Sequence, residues 1–93
     1  MKTLVIYDIT DDEIRYAVSE ACKNFGLSRI QKSAFLGTLS SSRRKELKAR
    51  LENILGNEKG NIQIFVLCNA CLALREIIGH VEEGEGGEDI LVV

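Results

Sequence analysis

The stretch from Thr10 to Gly26 constrains this chain most, because it carries the start, the buried face and the stop of a single helix. Thr10-Asp11-Asp12-Glu13 reads as a capping box: the threonine hydroxyl serves an amide three residues on, and the glutamate reaches back. Ile14, Ala17, Val18, Ala21, Cys22 and Phe25 then recur at spacings of 3, 4, 7, 8 and 11, which places them on one face. Gly26 follows as the residue that takes the left-handed conformation at a helix end. A helix with one apolar stripe must bury it against another layer. The segment before it supplies a strand. Leu4-Val5-Ile6-Tyr7 is a continuous apolar run ending at Asp8, which suits a strand covered on both faces.

The rest of the chain repeats this alternation. Residues 27–31 and 34–39 read as two short strands around a tight turn or bulge near Lys32-Ser33, and Gly37 marks a bulge or a close backbone approach. Ser40-Ser41-Ser42 offers an N-cap for a helix over 42–55 with Leu47, Leu51, Ile54 and Leu55 inward, closed by Gly56-Asn57. Residues 61–67 alternate, with Ile62, Ile64 and Val66 on one face and Phe65 and Leu67 on the other. Cys68-Asn69-Ala70-Cys71 turns the chain, and residues 72–79 form a short strand or a helical turn. The order β-α-β-β-α-β predicts a ferredoxin-like α+β fold: an antiparallel four-stranded sheet with both helices on one face. That fold hosts many functions and identifies none.

Ninety-three residues make one domain. A core over residues 1–79 is expected, followed over 80–93 by an acidic Gly/Glu linker and an apolar end, Ile90-Leu91-Val92-Val93, suited either to folding back on its own sheet or to docking on the edge of a partner's sheet. A domain of this size buries only about 60–65% of its unfolded surface, so a twofold dimer is the expected source of extra stability. Three cysteines do not make a disulfide framework, and no apolar run is long enough for a secretory leader or a membrane span. A reduced cytoplasmic location with no membrane partner follows as the expectation.

Charge is unevenly placed. The chain carries 12 basic and 14 acidic residues, but five of the acids lie within residues 80–93, where there is no Lys or Arg. Residues 28–50 hold Arg29, Lys32, Arg43, Arg44, Lys45, Lys48 and Arg50 against Glu46 alone. Such asymmetry reads as a basic patch that meets phosphate, or as a solvated helix face balanced elsewhere. Arg43, Arg44, Lys45 and Lys48 gather at the start of the second predicted helix, where free amides also favour anions. With five aromatics in all, base stacking on an open sheet is not expected, so contact would be with the nucleic-acid backbone.

Asp8 is the candidate metal ligand. It ends a strand and precedes a helix start, so it either caps the turn or holds a hard cation such as Mg²⁺. One carboxylate makes a poor magnesium site, but a twofold dimer would present Asp8 twice. Asp11 and Asp12 read as first-turn acids that complement the helix dipole. Arg15 breaks that dipole rule, either as a plain solvated cation or to reach a phosphate near Asp8. Cys68-x-x-Cys71 invites a zinc or a redox reading, but it lacks the further ligands of a zinc site and follows the last core strand rather than an early one as in a thioredoxin-type site, so buried small apolar residues are expected there.

Taken together, Leu4 to Asp12, Arg15 and the segment Gly26-Leu27-Ser28-Arg29-Ile30-Gln31-Lys32-Ser33-Ala34-Phe35-Leu36-Gly37 resemble the small CRISPR-associated Cas2 family of the spacer-acquisition module. The first strand is similar to that family's Tyr-Asp-x-(Ser/Thr) motif, and the second segment to its G-L-x-R-h-Q-x-S-h-F-x-G pattern, where h is apolar. The resemblance covers about residues 2–79. It implies a symmetric dimer whose Asp8 residues face one another and hold a divalent cation, Mg²⁺. It further implies RNA or DNA phosphodiesterase activity with Asp8, Arg15 and Arg29 catalytic, and roles for Tyr7 and Phe35 in nucleic-acid contact or in shaping the site. It also implies a complex with the CRISPR integrase, in which this subunit is a DNA scaffold and its own catalysis is dispensable. Two departures stand out. Tyr16 and Ala17 follow Arg15 where the family often has more basic residues, and no histidine lies near Asp8. A ferredoxin-like regulatory domain for a small molecule is the third reading, without a clear pocket in the sequence.

Overall fold

The computed structural model describes residues 1–80; the acidic linker and the apolar end expected to dock lie outside the described residues. In chain order the elements are β1 (Lys2–Asp8), α1 (Asp12–Asn24), β2 (Ser28–Gln31), β3 (Ala34–Thr38), α2 (Ser41–Leu55), β4 (Asn61–Leu67) and α3 (Asn69–Ala73). The sheet order is β2-β3-β1-β4, with every neighbouring pair antiparallel. This is the expected ferredoxin-like α+β arrangement, followed by one short extra helix.

Both long helices cover the same side of the sheet. Val5 and Tyr7 of β1 and Phe35 of β3 meet Val18, Ala21 and Cys22 of α1 and Leu47 and Leu51 of α2 in one buried cluster. Burying a side chain such as Val, Leu or Phe contributes about 1.5–3 kcal/mol, so this cluster dominates the stability of the domain. Along β1 the alternation is sharp: Thr3, Val5 and Tyr7 are buried, whereas Ile6 is 39% exposed and Asp8 is exposed. The continuous apolar run was expected to be covered on both faces. It lies in a central strand; the two long helices cover one side, and α3 approaches the other only at the Leu4 end.

The first helix is as its spacing predicts, with a different cap. Asp11, not Thr10, is the N-cap, and its carboxylate accepts from the Ile14 amide at 2.9 Å. Aspartate is at least as good a cap as threonine, so the helix starts one residue later than the capping box implies. At the other end Gly26 takes φ 89°, its amide donating to Lys23 O at 2.9 Å and that of Leu27 to Cys22 O at 3.0 Å. These two bonds are the Schellman pair that satisfies the last carbonyls of a helix.

The β2–β3 connection turns at Lys32-Ser33, and the register irregularity lies slightly earlier, between Arg29 and Gln31. Gly37 is a close approach: a Cβ there would stand 2.8 Å from Leu27 Cδ2 and 3.1 Å from Leu27 Cα. In α2, Ser40 caps the start, Leu47 and Leu51 are buried, and Ile54 and Leu55 pack against the core. Among the described residues, strand β4 is an edge strand bonded only to β1. Its Ile62 and Ile64 are half-buried and pack against the core, while Val66 is 45% exposed.

The Cys68–Cys71 turn begins α3 and is not a buried apolar spot. Cys22 is buried, but Cys68 is only half-buried and Cys71 is exposed. The reason is position: α3 follows the edge strand, beyond the helices that form the core. No helix among the described residues is long and apolar enough to cross a membrane.

Candidate functional site

Asp8 is the last residue of a central strand and projects from the face that the long helices leave open. In register it stands opposite Asn61. Gly60, just before, is pressed onto it: at φ 123° a Cβ on Gly60 would lie 2.6 Å from the Asp8 carbonyl oxygen. Gly60 therefore sets the path of the backbone beside Asp8. The signal was in the sequence as a glycine directly ahead of a strand, which marks a close approach.

The neighbouring acids are engaged elsewhere. Asp11 caps α1, and the Asp12 carboxylate pairs with Arg15. Among the described residues no group of three or more His, Cys, Asp or Glu gathers around a common point. A single exposed carboxylate supplies one ligand, where magnesium takes one or two carboxylates plus phosphate and water. Asp8 can thus supply one oxygen ligand to a hard cation, the remaining positions falling to phosphate, water or a further carboxylate.

Arg15 is the first-turn cation that the dipole disfavours. The structure offsets this with the Asp12 carboxylate and with the Ile9 carbonyl, to which Arg15 Nη1 donates at 3.4 Å. Arg15 and Arg29 line one shallow depression of about 250 Å³ with Tyr7, Asp12, Tyr16, Ser19 and Lys32, the Asp12 carboxylate offsetting part of the positive charge. Three cations on one concave surface suit an anion such as phosphate. Asp8 is not in this lining. The alternation of β1 turns Tyr7 toward the helices and Asp8 away from them, so the expected catalytic set divides between two faces of one strand.

Tyr7 and Phe35 were expected to meet nucleic acid. Phe35 is fully buried and Tyr7 is 3% exposed, their rings stacked with centroids 6.4 Å apart, so neither offers a face to a base. They lie beneath the cations instead: the Arg29 guanidinium is 4.8 Å from the Phe35 centroid, and its Nη1 donates to Lys32 O. Burial pushes the Tyr7 hydroxyl above its ordinary range, and Arg29 partly opposes this.

The basic start of α2 is not one surface. Arg43 lies 4.1 Å from the Phe25 centroid and bonds Glu46 at 3.3 Å, with Arg50 on the same side. Arg44, Lys45 and Lys48 instead rim a groove of about 460 Å³ between α2 and β4, floored by Leu51, Leu55, Ile62, Ile64 and Val66, with Glu52 on the same rim 3.6 Å from Lys48 Nζ. The helical repeat of 3.6 residues separates the two groups. The Arg43–Phe25 stack was missed because Phe25 read as a buried position only.

Fold and site together define a small ferredoxin-like domain with an outward carboxylate ending a central strand and cations on two further surfaces. Residues 1–74 match the family described as CRISPR associated protein Cas2, and the chain belongs to that family. It is 45% identical over 78 residues to the CRISPR-associated endoribonuclease Cas2 of Desulforudis audaxviator, covering 84% of this chain and 74% of that protein. It is 38% identical over 65 residues to a CRISPR-associated endonuclease Cas1/endonuclease Cas2 fusion of Thermoproteus tenax, 70% of this chain and 25% of the fusion. The crystal structure of Streptococcus pyogenes Cas2 superposes with a TM-score of 0.73 at 24% identity, covering 85% of this chain and 100% of that one. At that identity the likeness speaks for the fold.

Proposed function

We propose that this chain is an endonuclease of CRISPR spacer acquisition. It works as a twofold dimer, with Asp8 of each copy holding one Mg²⁺ ion. The observation that carries this reading is the setting of Asp8. It is exposed on the open face of the sheet, on the same side as Ile6, 39% exposed, and Phe65, 41% exposed. A second copy covering that apolar patch would remove it from water and bring the two Asp8 carboxylates together. The relative from Desulforudis audaxviator carries the name endoribonuclease, which makes RNA the first substrate to test. Bound there, magnesium would neutralise phosphate charge. Arg15 and Arg29 would bind and orient the phosphate backbone from the neighbouring depression. Cleavage of RNA and of duplex DNA is to be measured with Mg²⁺ and with chelator, for the parent and for Asp8→Asn. The parent should cut only with Mg²⁺ and the variant should not; equal rates discard the reading. Light scattering should report a dimer.

A second reading is a non-catalytic DNA scaffold for the integrase. The fused relative motivates the partner, and the rim of Arg44, Lys45 and Lys48 motivates the DNA contact. The apolar end at 90–93 would dock the integrase. Retention of the integrase by full-length chain but not by a 1–79 truncation supports that role, whereas equal retention removes it.

A further inference from the structure

Cys68 and Cys71 play no part in the nuclease or scaffold readings, yet they are placed for chemistry with one another. Cys68 is the N-cap of α3 with φ −75° and ψ 154°, and its sulfur accepts from the Cys71 amide at 3.2 Å. That contact holds the Cys68 Sγ over the first turn of the helix, where the Cys71 side chain begins. One helical turn separates residues i and i+3 by about 5 Å at Cα, within the roughly 4.4–6.8 Å that a disulfide spans. Solvent reaches the pair, since Cys68 is half-buried and Cys71 exposed.

We propose that Cys68 and Cys71 are a thiol-modification site that closes reversibly into an intrachain disulfide by exchange with a small disulfide such as oxidised glutathione. The Cys68 thiolate attacks one sulfur of the small disulfide, forming a mixed disulfide and releasing one small thiolate. Cys71 then loses its proton and attacks the Cys68 sulfur, which releases the second. Two electrons pass from the protein pair to the small disulfide, and its two thiolates take up the two protons that the cysteines give.

The two thiols are unequal in the order this requires. The Cys71 thiol, hydrogen-bonded to Cys68, holds Cys68 below the ordinary thiol range, and the same contact raises Cys71. The thiolate is the attacking species. Cys22 is a bystander: burial pushes it up to about 12 and no solvent reaches it. A metal is a poorer occupant, because the pair supplies two of the four ligands that zinc takes and no third metal-ligating side chain joins them among the described residues.

The site is separate from Asp8. Asp8 pairs with Asn61 at one end of the β1–β4 ladder, while Lys2 pairs with Leu67 at the other. Six residues of strand put about 20 Å between the two ends. What the disulfide would tie down is α3, whose Cys71 and Leu72 line a cavity of about 240 Å³ with Leu4, Leu36 and Leu67 on the open face of the sheet.

The test uses the full-length chain in glutathione buffers of graded ratio, with free thiols trapped by alkylation and products weighed by mass spectrometry. The parent should lose the mass of two hydrogens, keep Cys22 as its one alkylatable thiol after denaturation, and return to three thiols on reduction. Cys68→Ser and Cys71→Ser should each accumulate one glutathione adduct under the same conditions. With reduced glutathione held at about 0.1 mM, the intrachain form in the parent should exceed any mixed disulfide by about tenfold or more, as for a partner at about 1 mM effective concentration. Persistent adducts on the parent, links between chains, or three free thiols at every ratio would each overturn the assignment.

Discussion

Arg29 rests on Phe35: its guanidinium carbon lies 4.8 Å from the ring centroid, and the ring is fully buried. The core thus presents one of the cations of the depression beside α1. Phe35→Ala should cost about 3–5 kcal/mol through the cavity it leaves. Phe35→Leu should cost under about 1.5 kcal/mol for volume, plus about 0.5–1 kcal/mol because the cation–π stacking is gone. Urea unfolding measures both. If Arg29 grips phosphate, the folded Phe35→Leu protein should bind single-stranded RNA more weakly than the parent, while equal affinity would show that the ring does not position the arginine.

Gly60 is predicted to be nearly irreplaceable. Its φ of 123° and the 2.6 Å from a Cβ to the Asp8 carbonyl oxygen leave no room for alanine. Gly60→Ala should lower stability by about 1–3 kcal/mol in urea unfolding. Asp8→Asn, at an exposed position, should stay within about 0.5 kcal/mol of the parent. The contrast separates loss of the carboxylate from displacement of the strand end.

Cys22 makes stability depend on alkaline pH. Burial raises its thiol from 9.0 to about 12. Above pH 9 the unfolded chain has lost this proton while the native chain still holds it, so the unfolded state binds fewer protons and stability falls as pH rises. The contribution is fully present below pH 9 and is lost progressively toward pH 12, with a slope of up to about 1.4 kcal/mol per pH unit. Cys22→Ala should flatten the unfolding free energy over that window relative to the parent.

The two halves of the basic helix should behave differently with salt. Replacing Arg44 and Lys45 by Gln should reduce the slope of log K against log salt for duplex DNA by up to about 0.9 for each phosphate no longer neutralised, and Lys48→Gln by less, because Glu52 stands 3.6 Å from its Nζ. Arg43→Gln should leave that slope nearly unchanged and instead cost about 0.5–1 kcal/mol of stability, because Arg43 is engaged by Phe25 and Glu46. Filter binding across salt concentrations, with melting curves in parallel, checks both.

Much of the fold was legible because it is local. The face of α1 follows from its apolar spacing, its end from Gly26, and the start of α2 from the serines at 40–42. The cap at Asp11 was not legible, since three adjacent residues can each accept an amide. The exposure of Cys68 and Cys71 depended on where α3 lies relative to the sheet, which no local pattern states.

Chain order and periodicity by themselves determined the ferredoxin-like alternation, the apolar residues that form the core, and Asp8 as an acid ending the first strand. Tertiary structure alone decided which charged groups share a surface. A strand turns successive side chains to opposite faces, so Tyr7 joins the arginines under α1 while Asp8 looks outward. A helix turns each residue by about 100°, so Arg43 stacks on Phe25 while Arg44 and Lys48 rim the groove by β4. Neighbours in sequence were parted by the geometry of the backbone, and residues such as Gly60 and Asp8 were joined by it.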